Sequence, residues 1–291
     1  MKQLTVFTPT YNRAHTLKRL YTSLLKQASD SFCWLVIDDG STDGTEELIR
    51  SFISEREIEI HYYKQPNGGK QRAHNNAVGK CETELFMCLD SDDYLVPGAV
   101  SSILEAWERV AGDCDVAGLI APKRILGREP EGKGFPVHIE YSTVWDLYAR
   151  QHFQGETALV YRTDILRHFL FPVAPGEKFI SECYLHNQID RKYKMALLPK
   201  VLMICEYLPD GYTNNNRALI RNNPIGYMRV KRLEIEMTSQ PFLKMKSIVL
   251  YLTGAYFSDS YWKYWRMLPN KLAAVACILP SVLLANTEFK K

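Results

Sequence analysis

The sequence predicts an α/β fold, with an open, mostly parallel, Rossmann-like central sheet flanked by helices and a helical C-terminal extension. Short apolar runs alternate with helix-patterned segments over the first hundred or so residues, the pattern of β-α-β connections. Three polar clusters, "TPTYNR", "DDGSTDGT" and "DSDD", each follow an apolar run. That is where open α/β sheets place their ligands, outside the carboxyl ends of strands.

In order, "LTVFT" is read as the first strand, "AHTLKRLYTSLLKQ" as a helix and "CWLVID" as the second strand. "TDGTEELIRSFI" is the next helix, "EIEIHYY" the third strand, "RAHNNAVG" a third helix and "ELFMCLD" the fourth strand. Each strand is a short run bounded by turn formers. "DVAGLIAPK", residues 115–123, adds a strand, and the Gly, Pro and charge-rich "RILGREPEGKGFP" reads as a surface loop marking a soft boundary. Beyond it, "ETALVYRTDIL" and the helix-like "ECYLHNQIDRKY" continue the fold. The expected organisation is a ligand-binding half over 1–123, a second half of the same domain over 124–212, and the extension over 213–291.

Bulk properties exclude some classes. With 36 Lys+Arg against 33 Asp+Glu and a net charge of +3, the chain has no dominant basic balance, so no nucleic-acid partner is expected. The seven cysteines are scattered without metal-ligand spacing, which reads as a reduced, cytoplasmic protein. The opening "MKQLTVFTPTYNR" reads as a strand and not as an export signal. "KLAAVACILPSVLLAN" contains Pro280 and is too short to span a bilayer. It reads equally as a packing helix or as an interfacial helix on the inner face of the cell membrane. Residues 217–246 hold seven Lys/Arg against two Asp/Glu, followed by the aromatic run "YFSDSYWKYW". A solvated helix face explains the charge; contact with anionic lipid or a diphosphate-bearing acceptor is the sharper reading.

The chemistry concentrates in "LDSDDYL". Asp90, Asp92 and Asp93 crowd three negative charges into four positions, a cost that a cation offsets. Carboxylates at i and i+2 after a strand offer oxygen ligands to a hard divalent cation and leave positions open for phosphate. Such a cation stabilises charge on a departing phosphate.

Taken together, "TPTYNR", "VIDDGSTDGT" and "LDSDD" resemble, in order and spacing, the inverting family 2 glycosyltransferases of the GT-A fold. The similarity is strong over about the first 110 residues. The remainder is more loosely similar to the bacterial surface-polysaccharide branch, through "GEKFISECYL" and "EYLPDGYT". The resemblance implies metal-dependent transfer, with Mn²⁺ or Mg²⁺, from a nucleoside-diphosphate sugar, expected to be UDP-linked, to a glycan or lipid-linked acceptor. It further implies that Thr8, Pro9, Tyr11 and Arg13 wall the nucleotide pocket and that Asp39 accepts the imide N–H of uracil. Asp92 is the implied metal ligand, with Asp90 beside it at the metal, toward the ribose or in the layer behind the ligands, and Asp93 as a helper. In "NGGKQRAHNNAVG", Lys70 is the preferred diphosphate contact. His74 stands where the family commonly has Arg, and it reads either as a substitute contact or as a helix-surface histidine.

Inverting transfer needs a base for the acceptor hydroxyl. Glu182, beside a candidate N-cap at Ser181, matches the family's acidic residue best; Glu156 and Glu177 are the alternatives. Asp43 reads as a helix cap, and Trp145 and Tyr184 read as packing residues before sugar-stacking ones. A processive synthase would carry Gln-x-x-Arg-Trp and spanning helices, and a nucleotidyltransferase would open with a glycine-rich basic loop; neither pattern is present. A phosphorylated receiver would need companion residues that are not found. A non-catalytic nucleotide-sugar-binding scaffold of a polysaccharide assembly system is the alternative from another class.

Overall fold

The computed structural model describes residues 2–128, 134–135, 138–207 and 215–289. Residues 129–133 and 136 of the expected surface loop and the "LPDGYT" part of "EYLPDGYT" lie outside the described residues. The chain divides into two compact units, Met1–Leu170 with Lys192–Leu208, and Phe171–Arg191 with Pro209–Lys291.

The first unit runs β1 (Leu4–Thr10), α1 (Ala14–Leu25), β2 (Phe32–Asp38), α2 (Thr45–Glu55), β3 (Ile60–Lys64), α3 (Lys70–Lys80) and β4 (Leu85–Cys88). It continues with β5 (Tyr94–Leu95), α4 (Ala99–Glu108), β6 (Val116–Ile125), β7 (Tyr141–Ser142), α5 (Val144–Ala149), β8 (Thr157–Arg162) and α6 (Thr163–Leu166), and closes with β9 (Lys194–Leu197) and β10 (Met203–Cys205). The α/β alternation read from the sequence is therefore present. The strand order is β3-β2-β1-β4-β8-β6-β10-β5, with β9 also pairing with β6, and β7 with β9. The strands β1 to β4 are parallel to one another. β8 then lies antiparallel to both β4 and β6, so the sheet is mixed, and residues from both expected halves share it.

β1 and β2 are buried along their whole lengths, as befits central strands covered on both faces. Helix α1 turns Leu17, Leu20, Tyr21 and Leu24 inward. Tyr21 stacks on Phe52 of α2 with ring centroids 3.9 Å apart and packs beside Trp34 of β2. The Trp34 indole N–H donates to the Thr8 hydroxyl at 2.9 Å, the partner a buried indole requires. Pro9 sits in β1 without disturbing the sheet, because β4 pairs with β1 only as far as Phe7. Its missing N–H leaves no ladder bond unmade there.

The second unit is helical: α7 (Cys183–Asp190), α8 (Asn216–Asn222), α9 (Pro224–Met237), α10 (Pro241–Tyr256), α11 (Tyr261–Met267), α12 (Lys271–Ala276) and α13 (Ile278–Thr287). Its core gathers Met228, Ile235, Ile248, Leu252, Leu268 and Cys277, among others. Among the described residues no helix is long and apolar enough to cross a membrane.

Gly118 is where the pairing of β6 with β8 depends on a missing side chain. Its φ is +151°, and a Cβ there would lie 1.9 Å from the Val160 carbonyl oxygen. Gly118→Ala should cost on the order of 3 kcal/mol, read as a lowered urea midpoint at an unchanged m value. A midpoint equal to wild type would show that the two strands can separate without cost.

Candidate active site

The strand order makes a switch point. From β1 the chain proceeds to β2 and β3 on one side and to β4 on the other, so the loops after β1 and β4 diverge and leave a crevice between them. The loops carrying the three polar clusters all emerge at this edge.

The first two loops are laced together. Asn12, at φ +54°, donates its N–H to Ser41 Oγ at 2.9 Å and accepts the Thr42 N–H through Oδ1 at 2.8 Å. Such a left-handed position favours Asn among non-glycine residues. Asp43 accepts from the Ala14 N–H at 3.2 Å and from the Thr45 N–H at 3.0 Å, so it serves the starts of both α1 and α2. Burial alone would raise its carboxyl, but the Thr45 hydroxyl and these backbone donors hold it below the usual range. Tyr11 stands 49% exposed at the crevice. Thr8 is fully buried and its hydroxyl accepts the Trp34 indole N–H, so it borders the site through its backbone.

The two adjacent aspartates divide their work. Asp38 is fully buried, accepting the Ser41 N–H through Oδ1 and the Tyr62 hydroxyl through Oδ2, each at 2.7 Å. Burial, and then this carboxylate, push the Tyr62 phenol well above its ordinary value. Asp39 accepts from Gln65 Nε2 at 2.7 Å, the Gly68 N–H at 2.8 Å and the Gly69 N–H at 2.7 Å. Gly69, at φ +94°, turns the chain so that its N–H meets this carboxylate. A carboxylate has about four acceptor positions, so Asp39 retains one for a further donor.

At the end of β4, Lys70 Nζ contacts both oxygens of Asp90, at 2.6 and 2.7 Å. The expected diphosphate contact is thus at the expected edge, paired here with an expected metal ligand. Burial and the neighbouring Asp90 raise the Asp92 carboxyl, against the pull of Arg13 and Lys70. The site therefore brings Arg13, Lys70, Asp90 and Asp92 within electrostatic reach of one another. Two crowded hard-oxygen carboxylates, one of them raised by burial and repulsion, suit a divalent cation.

Asp93 is turned elsewhere. It is 5% exposed, lies 3.7 Å from Lys123 Nζ of β6 and accepts the Glu206 N–H at 3.4 Å. It braces the loop toward β6 and β10.

Several residues escaped sequence reasoning. Arg19 of α1 donates to the Asp92 carbonyl at 2.6 Å, contacts Glu206 Oε2 at 2.5 Å and lies over the Tyr94 ring at 4.8 Å. Three elements thereby clamp the acidic loop, and nothing in the local pattern around Arg19 signals it. Glu156 receives the Tyr207 hydroxyl and the more distant Cys205 thiol at 3.8 Å. His74 is not a surface histidine: it is 8% exposed and packs edge-on against Phe7 and Phe86. Arg72 bends back to the Gly68 carbonyl at 2.7 Å.

In the second unit Glu182 is exposed at the start of α7, where Ser181 Oγ accepts the Cys183 N–H at 3.4 Å. Glu177 is buried and spends both oxygens on the N–H groups of Ile225 and Gly226, at 2.7 and 2.8 Å. It caps α9. Tyr184 is half-buried and accepts from Gln188 at 3.1 Å; Trp145 is half-buried in α5.

Residues 5–169 match the model of glycosyl transferase family 2. The chain belongs to that family. Its similarity to the GalNAc(5)-diNAcBac-PP-undecaprenol beta-1,3-glucosyltransferase of Campylobacter jejuni is 32% identity, covering 97% of this chain and 89% of that protein. Staphylococcus aureus TarS 1–349, in complex with UDP-GlcNAc, superposes with a TM-score of 0.66 over 99% of this chain and 90% of that one, at 15% identity. A mannosyltransferase from Pyrobaculum calidifontis, in complex with GDP-Man and Mn²⁺, superposes at 0.57 over 99% and 82%, at 17% identity. At these identities the structural likeness is one of fold, and it is the fold expected from the sequence. The protein is a glycosyltransferase.

Burial pushes the Asp93 carboxyl of this glycosyltransferase up to about 7, against the pull of Lys123 and helped by Asp90 and Asp92. Between an unfolded value near 3.8 and that folded value, the folded chain holds a proton the unfolded chain has lost, so stability falls as pH rises. In EDTA, the wild-type thermal midpoint should therefore drop from about pH 4.5 to about pH 7.5 relative to that of Asp93→Asn. Parallel curves would mean that Asp93 is ionised throughout.

Proposed function

We propose that this glycosyltransferase moves a sugar from a nucleoside-diphosphate sugar, with UDP as the nucleotide, to a glycan or lipid-linked acceptor in bacterial surface-polysaccharide synthesis. The transfer inverts the anomeric carbon and depends on Mn²⁺ or Mg²⁺. The observation that carries the reading is the meeting of Asp90, Asp92, Lys70 and Arg13 at the switch point. The Campylobacter relative, similar across nearly the whole chain, is named for a glycan on a diphosphate-linked undecaprenol, which supports the acceptor class. The TarS complex with UDP-GlcNAc supports the donor class.

Asp39, anchored by Gln65, Gly68 and Gly69, offers its remaining acceptor position to the imide N–H of uracil. Tyr11 covers the ring, while Pro9 and the backbone of Thr8 form the floor. A divalent cation held by Asp92 and Asp90 would neutralise the diphosphate and stabilise charge on the leaving nucleotide. Lys70 then exchanges Asp90 for a diphosphate oxygen, and Arg13 supplies the second positive group. Glu182 takes the proton of the attacking hydroxyl. Its exposed carboxylate suits a base better than Glu156, whose oxygens are engaged by Tyr207 and Cys205.

The first test is a thermal-shift panel of UDP, GDP, CDP and dTDP, each with and without Mn²⁺ or Mg²⁺, since a ligand binding only the folded state raises its apparent stability. A metal-dependent shift with UDP, absent in Asp92→Ala, is expected; no shift with any nucleotide would favour the non-catalytic scaffold. Glu182→Gln should keep the UDP shift and lose transfer by about 10²–10⁴-fold. Near-normal transfer by that variant would remove Glu182 as the base.

A further inference from the structure

The second unit exposes an apolar surface that its own packing does not explain. Residues 272–285, "LAAVACILPSVLLA", contain no charged side chain, and α12 and α13 meet the rest of the unit along one side only. The inward positions are small: Ala274, Cys277, Ser281 and Ala285 are buried. Ser281 is tied to Thr253 of α10 through its carbonyl at 3.3 Å and to Tyr261 of α11 through its hydroxyl at 3.0 Å. The large side chains face away, with Leu272 86%, Val275 56%, Leu279 67% and Leu283 55% exposed. They recur at steps of three, four and four residues, so they form one stripe along the outside. An ordinary surface helix has the reverse arrangement.

The charge around this stripe favours one occupant. Residues 240–287 carry five Lys/Arg and a single acidic residue, Asp259. Lys263, Arg266 and Lys271 are exposed just ahead of the stripe, and Trp262, 60% exposed, lies among them. By contrast, the basic residues of 217–232 are largely engaged within the unit: Arg217 with Glu288 at 2.7 Å, Lys231 with Glu234 at 2.7 Å and Arg232 with Glu236 at 2.8 Å. Lys271 donates to the Arg266 and Leu268 carbonyls, contacts that leave its charge unneutralised, so the positive charge with little acid to offset it borders the apolar stripe. An amphipathic surface of Leu, Trp and Lys/Arg is the composition that lies in the interface of an anionic bilayer.

We propose that the outer face of α12 and α13 seats in the surface of an anionic phospholipid membrane. The helices lie in the plane of the interface, with Leu272, Val275, Leu279 and Leu283 toward the acyl chains and Lys263, Arg266 and Lys271 at the headgroups. A second copy of the chain, the other candidate for covering such a face, would bring these positive charges against their own kind. The proposal deepens the lipid-linked acceptor reading, because a surface-bound enzyme meets such an acceptor by diffusion in two dimensions.

The test is co-sedimentation of the full chain with vesicles of phosphatidylcholine alone or mixed with about one-third phosphatidylglycerol, at low and high salt. Wild type should bind the anionic vesicles at least tenfold more tightly than the neutral ones, less so in high salt. Leu279→Glu should reduce binding at least tenfold, and Lys263→Gln with Arg266→Gln should weaken binding to anionic vesicles alone. Both variants should keep wild-type circular dichroism and the UDP shift, which reports the donor site separately from the membrane face. Absence of vesicle binding by wild type, or unchanged binding by a folded Leu279→Glu, overturns the proposal. So does a wild-type dimer in sedimentation velocity that Leu279→Glu dissociates, because the stripe would then be covered by a second copy. An absent UDP shift beside intact vesicle binding would count against the donor-site reading alone.

Discussion

Negative charge crowded at the end of β4 is the constraint on which the first unit turns. Asp90, Asp92 and Asp93 fall within four consecutive positions, and their repulsion would open the loop without compensation from several directions. Lys70 reaches Asp90 from α3, Lys123 faces Asp93 from β6, and Arg19 grips the Asp92 carbonyl from α1. Asp92 keeps a carboxyl raised by burial and by Asp90. The remaining imbalance suits the loop to a cation.

The same economy governs the other side of the crevice. Asp38 and Asp39 are neighbours in sequence, yet one fastens β3 through Tyr62 and the other fastens the glycine turn before α3. Each pays its desolvation with hydrogen bonds, as buried carboxylates must. The glycine turn in turn sets the start of α3 and so the reach of Lys70 toward Asp90. This side of the crevice is therefore held mostly by backbone N–H groups and short side chains.

In the second unit the balance is different. Small residues let α12 and α13 approach α10 and α11 closely, which leaves the bulk of their apolar surface outside. Burying the stripe of leucines would require a surface the unit does not supply, and the neighbouring lysines and arginine set the character of what does.

The sequence by itself determined the order of strands and helices over the first hundred residues, because apolar periodicity and turn chemistry are local properties. It also determined that "TPTYNR", "DDGSTDGT" and "DSDD" would share one edge, since parallel β-α-β units bring their carboxyl ends together. What it left open was direction. The different partners of Asp92 and Asp93, the burial of His74 among phenylalanines, the capping of α9 by Glu177 and the clamp made by Arg19 all depend on residues distant in sequence. The sequence also left the apolar C-terminal segment undecided between packing and interface. Only the tertiary structure separated its buried small residues from its exposed large ones, because a uniformly apolar stretch carries no periodic signal to say which side faces in.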